Sequence, residues 1–215
     1  MVVLLPALTG LVVALVRGGT VQGLACLPLR GRAVVLVAFL MQLPVLYFPA
    51  EKGSSHLNFE RCLMLLSYLL ILGVVWKNRS LSGFRAIGLG LLLNLTVMMA
   101  NGGFMPIQPA VLESFGHQQM VTKMESGYRV LHSKDVLLTR EETHLWILSD
   151  VFAFDPPLLS PTAFSPGDLL IAAGAFSFIQ STMLSSNPRR TLAPPPHALS
   201  SARPSSNSSE RDLKS

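Results

Sequence analysis

Six residues stand out as candidates for contact with a ligand: Asn94, Asn101, Gly102, Gly103, Asp150 and Asp168. Two amides and two carboxylates supply hydrogen-bond donors and acceptors, and the paired glycines let a backbone come close to whatever binds. This is the chemistry of recognition. It lacks the nucleophile, base and orienting group of covalent catalysis. No Gly-x-Ser-x-Gly elbow, P-loop, dinucleotide fingerprint or His-Glu-x-x-His occurs, and each of those encodes a definite mechanism. Gly88-Leu89-Gly90 lies inside an apolar run and cannot cradle phosphate. His117, His132, His144 and Asp135 are scattered with no metal-ligand spacing. The sequence therefore predicts no catalytic residue, no metal and no cofactor.

Each candidate also has a structural explanation. Asn94 is central in its run, where an unsatisfied amide in an apolar setting costs several kcal/mol; it serves an interhelical hydrogen bond or a ligand. Ser165-Pro166-Gly167-Asp168 reads as a capping box, with Asp168 reaching back to a free amide at the positive end of a helix dipole. Asn101-Gly102-Gly103-Phe104-Met105-Pro106 reads as a helix stop. These groups, with Asp150, are expected to converge. They form a ligand-binding rim or tie down the segment that contains them.

The elements that would position them are apolar runs. Half of the 215 residues are hydrophobic and only 13% are charged, against about 25% charged in a soluble domain. Five runs carry no internal charge: Val2–Val16, Ala33–Phe48, Cys62–Trp76, Ala86–Ala100 and Asp168–Leu184. They lack the polar stripe of a surface helix and approach the roughly 20 residues that cross a bilayer. Two cysteines cannot staple a chain of this size, and Cys26 and Cys62 are expected as free thiols on opposite sides. The predicted fold is an all-α membrane protein: a bundle of about five transmembrane helices with an extracytoplasmic cap between helices four and five. Residues 1–100 form a four-helix membrane region, 101–167 the cap, 168–184 the fifth helix, and 185–215 a disordered Ser/Pro/Arg-rich tail. The first run lacks a basic n-region and a small-residue cleavage site, which argues for a retained helix over a signal peptide.

Charge orients the bundle. The two segments 17–32 and 77–85, together with the tail, hold 11 of the 17 Lys and Arg and 2 of the 12 acids. Positive segments stay cytoplasmic, so five crossings put the N-terminus outside and the C-terminus inside a cell membrane. The basic charge is thus an orientation signal, which leaves no nucleic-acid partner; the partners are the lipid bilayer and other membrane proteins. Within the runs, Ala86 with Gly90, Gly10 with Ala14, and Ala173 with Ser177 are small-residue pairs suited to close helix contact. Short helices are expected at Val111–Phe115 and Glu141–Leu148, the latter opened by a Thr139–Glu142 capping box.

Arg17-Gly18-Gly19, Leu29-Arg30-Gly31-Arg32, Leu93-Asn94-Leu95, Asn101-Gly102-Gly103-Phe104-Met105-Pro106, Ser133-Lys134-Asp135-Val136-Leu137-Leu138, Leu148-Ser149-Asp150 and Phe164-Ser165-Pro166-Gly167-Asp168 follow in order. With them the chain resembles a family of small bacterial integral membrane proteins classed as a domain of unknown function, over roughly residues 1–184. The resemblance implies bacterial membrane residence and several membrane crossings, and it implies no mechanism. The sequence therefore favours a non-enzymatic binding, transport-accessory or partner-subunit role. A membrane-bound enzyme or metal-dependent module using the cap is the alternative.

Overall fold

A computed structural model describes residues 4–25, 29–47, 55–116, 126–130, 133–155 and 161–185. The tail beyond Ser185, which itself ends a helix, lies outside the described residues, as do Cys26, His117 and His132. Most of the described chain is helical. Its helices are α1 (Leu4–Val16), α2 (Gln22–Ala25), α3 (Arg32–Tyr47), α4 (Ser55–Lys77), α5 (Phe84–Ala100), α6 (Pro109–Ser114) and α7 (Pro166–Ser185). The five apolar runs fall in the five long helices, where each backbone amide is satisfied within its own segment, and α3 continues through Pro44. Two helices, Asn58–Lys77 within α4 and Pro166–Ser185, are long and apolar enough to cross a membrane.

The long helices pack in the order α3, α4, α5, α7, α1, and α2 lies against α7. Three of the four contacts carry a polar tie. Gln42 Nε2 donates to Ser67 Oγ at 3.0 Å between α3 and α4. Asn94 joins Asp168 between α5 and α7. Gln180 Nε2 donates to the Gly10 carbonyl at 2.6 Å between α7 and α1. The α4–α5 contact is apolar, built on Tyr68, Val75, Leu91, Leu95 and Met98. Outward faces carry Leu36, Phe39, Leu66, Leu69, Trp76, Leu89, Leu92 and Met99, each about half or more exposed. The side-chain amides of Asn94 and Gln180 point into an otherwise apolar core, and the outward faces are largely apolar as well. Of the small-residue pairs, Gly10 and Ala14 are buried against α7, whereas Ala173 is exposed and α7 presents Ala172 and Gly174 to its neighbours instead. Cys62 is a free, exposed thiol.

The basic segments meet at one end. Arg30 exchanges two hydrogen bonds with the Asn78 side chain, at 3.0 and 2.8 Å, and the Thr20 amide donates to the Met183 carbonyl. At the other end the segment between α5 and α7 is not all helix, which corrects the all-α expectation there. Strand β1 (Met105–Ile107) runs parallel to β2 (Asp135–Leu137), with Met105 opposite Asp135 and Ile107 opposite Leu137. Residues 127–130 line the far edge of β2 through three main-chain hydrogen bonds, one from Leu137 to the Tyr128 carbonyl at 2.8 Å. Strands β3 (Phe152–Phe154) and β4 (Thr162–Phe164) form an antiparallel pair, with Phe152 stacked on Phe164 at 5.3 Å. The expected helix near 111–115 is α6. The expected helix at Glu141–Leu148 is absent, and a single 3₁₀ turn at Trp146–Leu148 stands in its place. Glu142 does reach back to the Thr139 amide, and the Thr139 hydroxyl donates to the same carboxylate oxygen. The helix fails because Asn101 takes both the amide and the carbonyl of His144, and Leu145 adopts a left-handed φ of 57°.

Candidate functional site

The site lies where α5 packs on the start of α7, beside β1 and the 3₁₀ turn at Trp146–Leu148. Asn94, fully buried on α5, donates from Nδ2 to Asp168 Oδ1 at 2.8 Å and accepts from Ser165 Oγ at 2.9 Å. Asp168 Oδ2 accepts the Ser165 amide at 3.2 Å, and the Asp168 amide donates to Ser165 Oγ at 3.0 Å. This is the predicted capping box, with Asn94 of another helix inserted into it. All four polar groups of Asn94 and Asp168 are engaged from within the bundle. Structure, not a ligand, accounts for that pair.

A second group sits beside it. Lys134, just before β2, reaches Asp150 Oδ2 at 3.0 Å and Asp135 Oδ1 at 3.6 Å. Asp135 Oδ2 accepts from Ser133 Oγ at 2.5 Å. The Asp150 amide donates to the Pro106 carbonyl, and its side chain is 1% exposed. Asp150 Oδ1 is buried and receives no hydrogen bond. Asp168 and Tyr68 lie within electrostatic reach of Lys134. Two carboxylates thus contact one ammonium, with Asp168 nearby, an excess of negative charge that favours uptake of a proton or a hydrogen-bond donor. Burial pushes the Asp150 carboxyl up to about 8, although Lys134 opposes it. Burial works to lower Lys134, but Asp150 and Asp135 outweigh it and hold the ammonium well above its ordinary value.

The six predicted residues divide between two places. Asn94, Asp168 and Asp150 come together. Asn101 turns away to the main chain of His144 and to the Val97 carbonyl at 2.8 Å. Gly102 and Gly103 lie against Arg61 of α4. The sequence reading omitted Lys134, Asp135 and Tyr68 as site residues. The adjacent opposite charges of Lys134-Asp135 are the available signal, and Tyr68 is marked only as a polar group inside an apolar run.

Asn94→Leu is expected to lower stability by about 2 kcal/mol, because a buried carboxylate and a buried hydroxyl each lose a partner. Thermal unfolding of the detergent-purified protein measures it. A midpoint within a degree or two of the parent would mean that the pair contributes nothing.

The model of a protein family described as Family of unknown function (DUF5317) matches residues 26–180, a span that contains every residue of this site. No curated protein and no solved structure matches the chain.

Proposed function

The chain belongs to that family of unknown function, and from this premise we propose that it is a five-span membrane protein that binds a small or lipid-like ligand beneath an outer cap. The observation that supports membrane residence is that large apolar side chains cover the outer faces of the long helices, while the amides of Gln42, Asn94 and Gln180 are paired inside. A water-soluble bundle carries a polar outer face. The shorter helices α1, α3 and α5 complete the bundle, with flanking residues and tilt or thinning meeting the hydrocarbon thickness. Arg17, Arg30, Arg32, Lys77, Arg79 and Arg85 collect at one end with no acid among residues 17–32 or 77–85. That end faces the cytoplasm, so the N-terminus and the cap segment 101–165 face outward.

Site-directed labelling tests the orientation. In a chain with Cys26 and Cys62 replaced by serine, Glu141→Cys should react with an impermeant maleimide on intact cells. Ser80→Cys should react only after permeabilisation. The opposite pattern sinks the topology.

The binding reading rests on Asp150, a buried acceptor with one oxygen unfilled at the boundary between cap and bundle. A ligand presenting an amine or hydroxyl would fill it, with the negative excess of the site favouring a cation. The role is recognition, accessory transport or service as a partner subunit, with no chemical step assigned. Extraction in native-lipid particles followed by lipid and metabolite mass spectrometry identifies the ligand. A species retained by the parent and lost from a folded Asp150→Ala variant supports the reading; identical bound species in both refute it.

A further inference from the structure

We propose that Arg61 anchors a phosphate-binding site against the Gly102–Gly103 turn, separate from the Asp150 site and independent of the membrane reading. Two guanidinium groups flank one ring: Arg61 lies 5.8 Å and Arg129 5.7 Å from the centre of the buried Phe104 ring. One of them is paired with a described carboxylate. Glu60 pairs with Arg129, which also donates to the Val45 carbonyl at the end of α3. Arg61 has no carboxylate partner among the described residues. Its Nη1 donates to Asn58 Oδ1 at 3.3 Å, and its Nε is buried without an acceptor.

A guanidinium carries five N–H donors and no acceptor, and it stays charged at every accessible pH. Leaving its buried donors unmatched is costly, more so for a charged group than a neutral one. An anion resolves both the missing bonds and the excess positive charge left once Glu60 is taken. The neighbouring backbone makes room for it. Gly102 and Gly103 have φ of 78° and 97°, so side chains are disfavoured there. A Cβ on Gly102 would sit 3.9 Å from Arg61 Cζ and Nη2, and one on Gly103 would press within 3.0 Å of Cβ and Cγ. The turn is therefore bare where the guanidinium presents its Nη2 edge. A planar fork beside an uncrowded backbone suits the tetrahedral oxygens of a phosphate, bound through two parallel charge-assisted hydrogen bonds. A phospholipid headgroup and free phosphate share this chemistry.

The test uses the full chain purified in detergent. Native mass spectrometry measures binding of phosphatidylglycerol against diacylglycerol of equal chain length, and calorimetry measures inorganic phosphate. Preference for phosphatidylglycerol without phosphate binding assigns the site to lipid; phosphate binding assigns it to a soluble anion. In either arm Arg61→Gln should weaken binding about ten-fold or more, the effect of losing charge-assisted hydrogen bonds. Arg140→Gln should not, because Arg140 is engaged 3.8 Å over the Trp146 ring. If Arg61→Gln does not fold, Arg61→Lys keeps the charge and loses the fork, and reduced binding there supports the site. Binding by folded Arg61 variants equal to the parent, or no binding of either phosphate probe by the parent, overturns it. Loss of the Asp150-dependent ligand leaves these measurements unchanged, so the two readings fail separately.

Discussion

Gly83→Ala is expected to leave no folded protein. Gly83 caps the start of α5 at φ 79°, a left-handed conformation that costs an alanine about 1 kcal/mol or more. The larger penalty is steric. A Cβ there would overlap the Gly174 carbonyl of α7, and from the other side a Cβ on Gly174 would stand 2.6 Å from the Gly83 carbonyl. Seven residues on in α5, the contact recurs: a Cβ on Gly167 would meet the Gly90 carbonyl at 2.8 Å. The two helices touch backbone to backbone at both positions, so neither can retreat without releasing the other contact and the Asn94–Asp168 bond between them. The overlap is with main chain, which has no rotamer to give. A loss above about 4 kcal/mol follows, a large part of the roughly 5 to 15 kcal/mol that holds a domain. Gly73→Ala is the control. It sits inside α4 with no atom within 4 Å of a new Cβ, so alanine should be neutral or stabilise by up to about 1 kcal/mol. Size-exclusion profiles and thermal midpoints of both variants decide the matter. A monodisperse Gly83→Ala protein with the parent's midpoint would show that the α5–α7 contact is not the one described.

The contrast between those glycines also shows what the sequence could and could not convey. Helix positions were legible because each is written in its own contiguous residues: an apolar run, a stop such as Asn101-Gly102-Gly103, a start such as Ser165–Asp168. Pairing between helices is not written locally. Ala86 with Gly90 and Ala173 with Ser177 look equally suitable for close packing, yet it is Gly83 with Gly90, spaced by seven, that faces Gly174 and Gly167. The strands were missed for a related reason. Each has three residues, too few for an alternating pattern, and Met105 finds Asp135 thirty positions away. Thr139–Glu142 carried a correct local signal that a distant side chain, Asn101, overrode. At the site, Asn94 and Asp168 were found because a polar residue in an apolar run must have a partner. Lys134 and Arg61 were not, since a charge in a polar segment looks solvated until the fold places it beside Asp150 or Phe104.

Thermal stability is expected to decline as pH rises from about 4 to about 8, and Asp150→Asn should remove that decline. Asp150 has an ordinary value of 3.8 and is pushed to about 8 in the fold, with burial the leading cause. A folded-state value above the unfolded one means that the native protein holds the proton more tightly. The resulting stabilisation is complete below 3.8 and is lost as pH climbs through the folded value. Lys134 is also raised, above 10.5, so its contribution is complete below that point and does not bend the curve in this window. Burial acts here on a cluster in which Asp135 and Asp150 both contact the Lys134 ammonium, while Asp168 stands farther off and is already satisfied by Asn94 and Ser165. The extra proton goes to Asp150, the more deeply buried of the two, with its side chain 1% exposed against 11% for Asp135. About four units at 1.36 kcal/mol each sets a ceiling of roughly 5 kcal/mol, and sharing of the proton within the cluster brings the measured change below it. Asparagine mimics the protonated acid in shape and charge, so Asp150→Asn should match the parent near pH 4 and exceed it at pH 8. Melting profiles of both proteins across that range provide the comparison. Parallel curves would mean that Asp150 is ionised throughout, with its charge fully met by Lys134. Divergence at high pH would also carry over to binding, because only the deprotonated Asp150 has both oxygens available to a ligand's N–H or O–H. Affinity for a donor ligand should then strengthen over the same interval in which the unliganded protein loses stability.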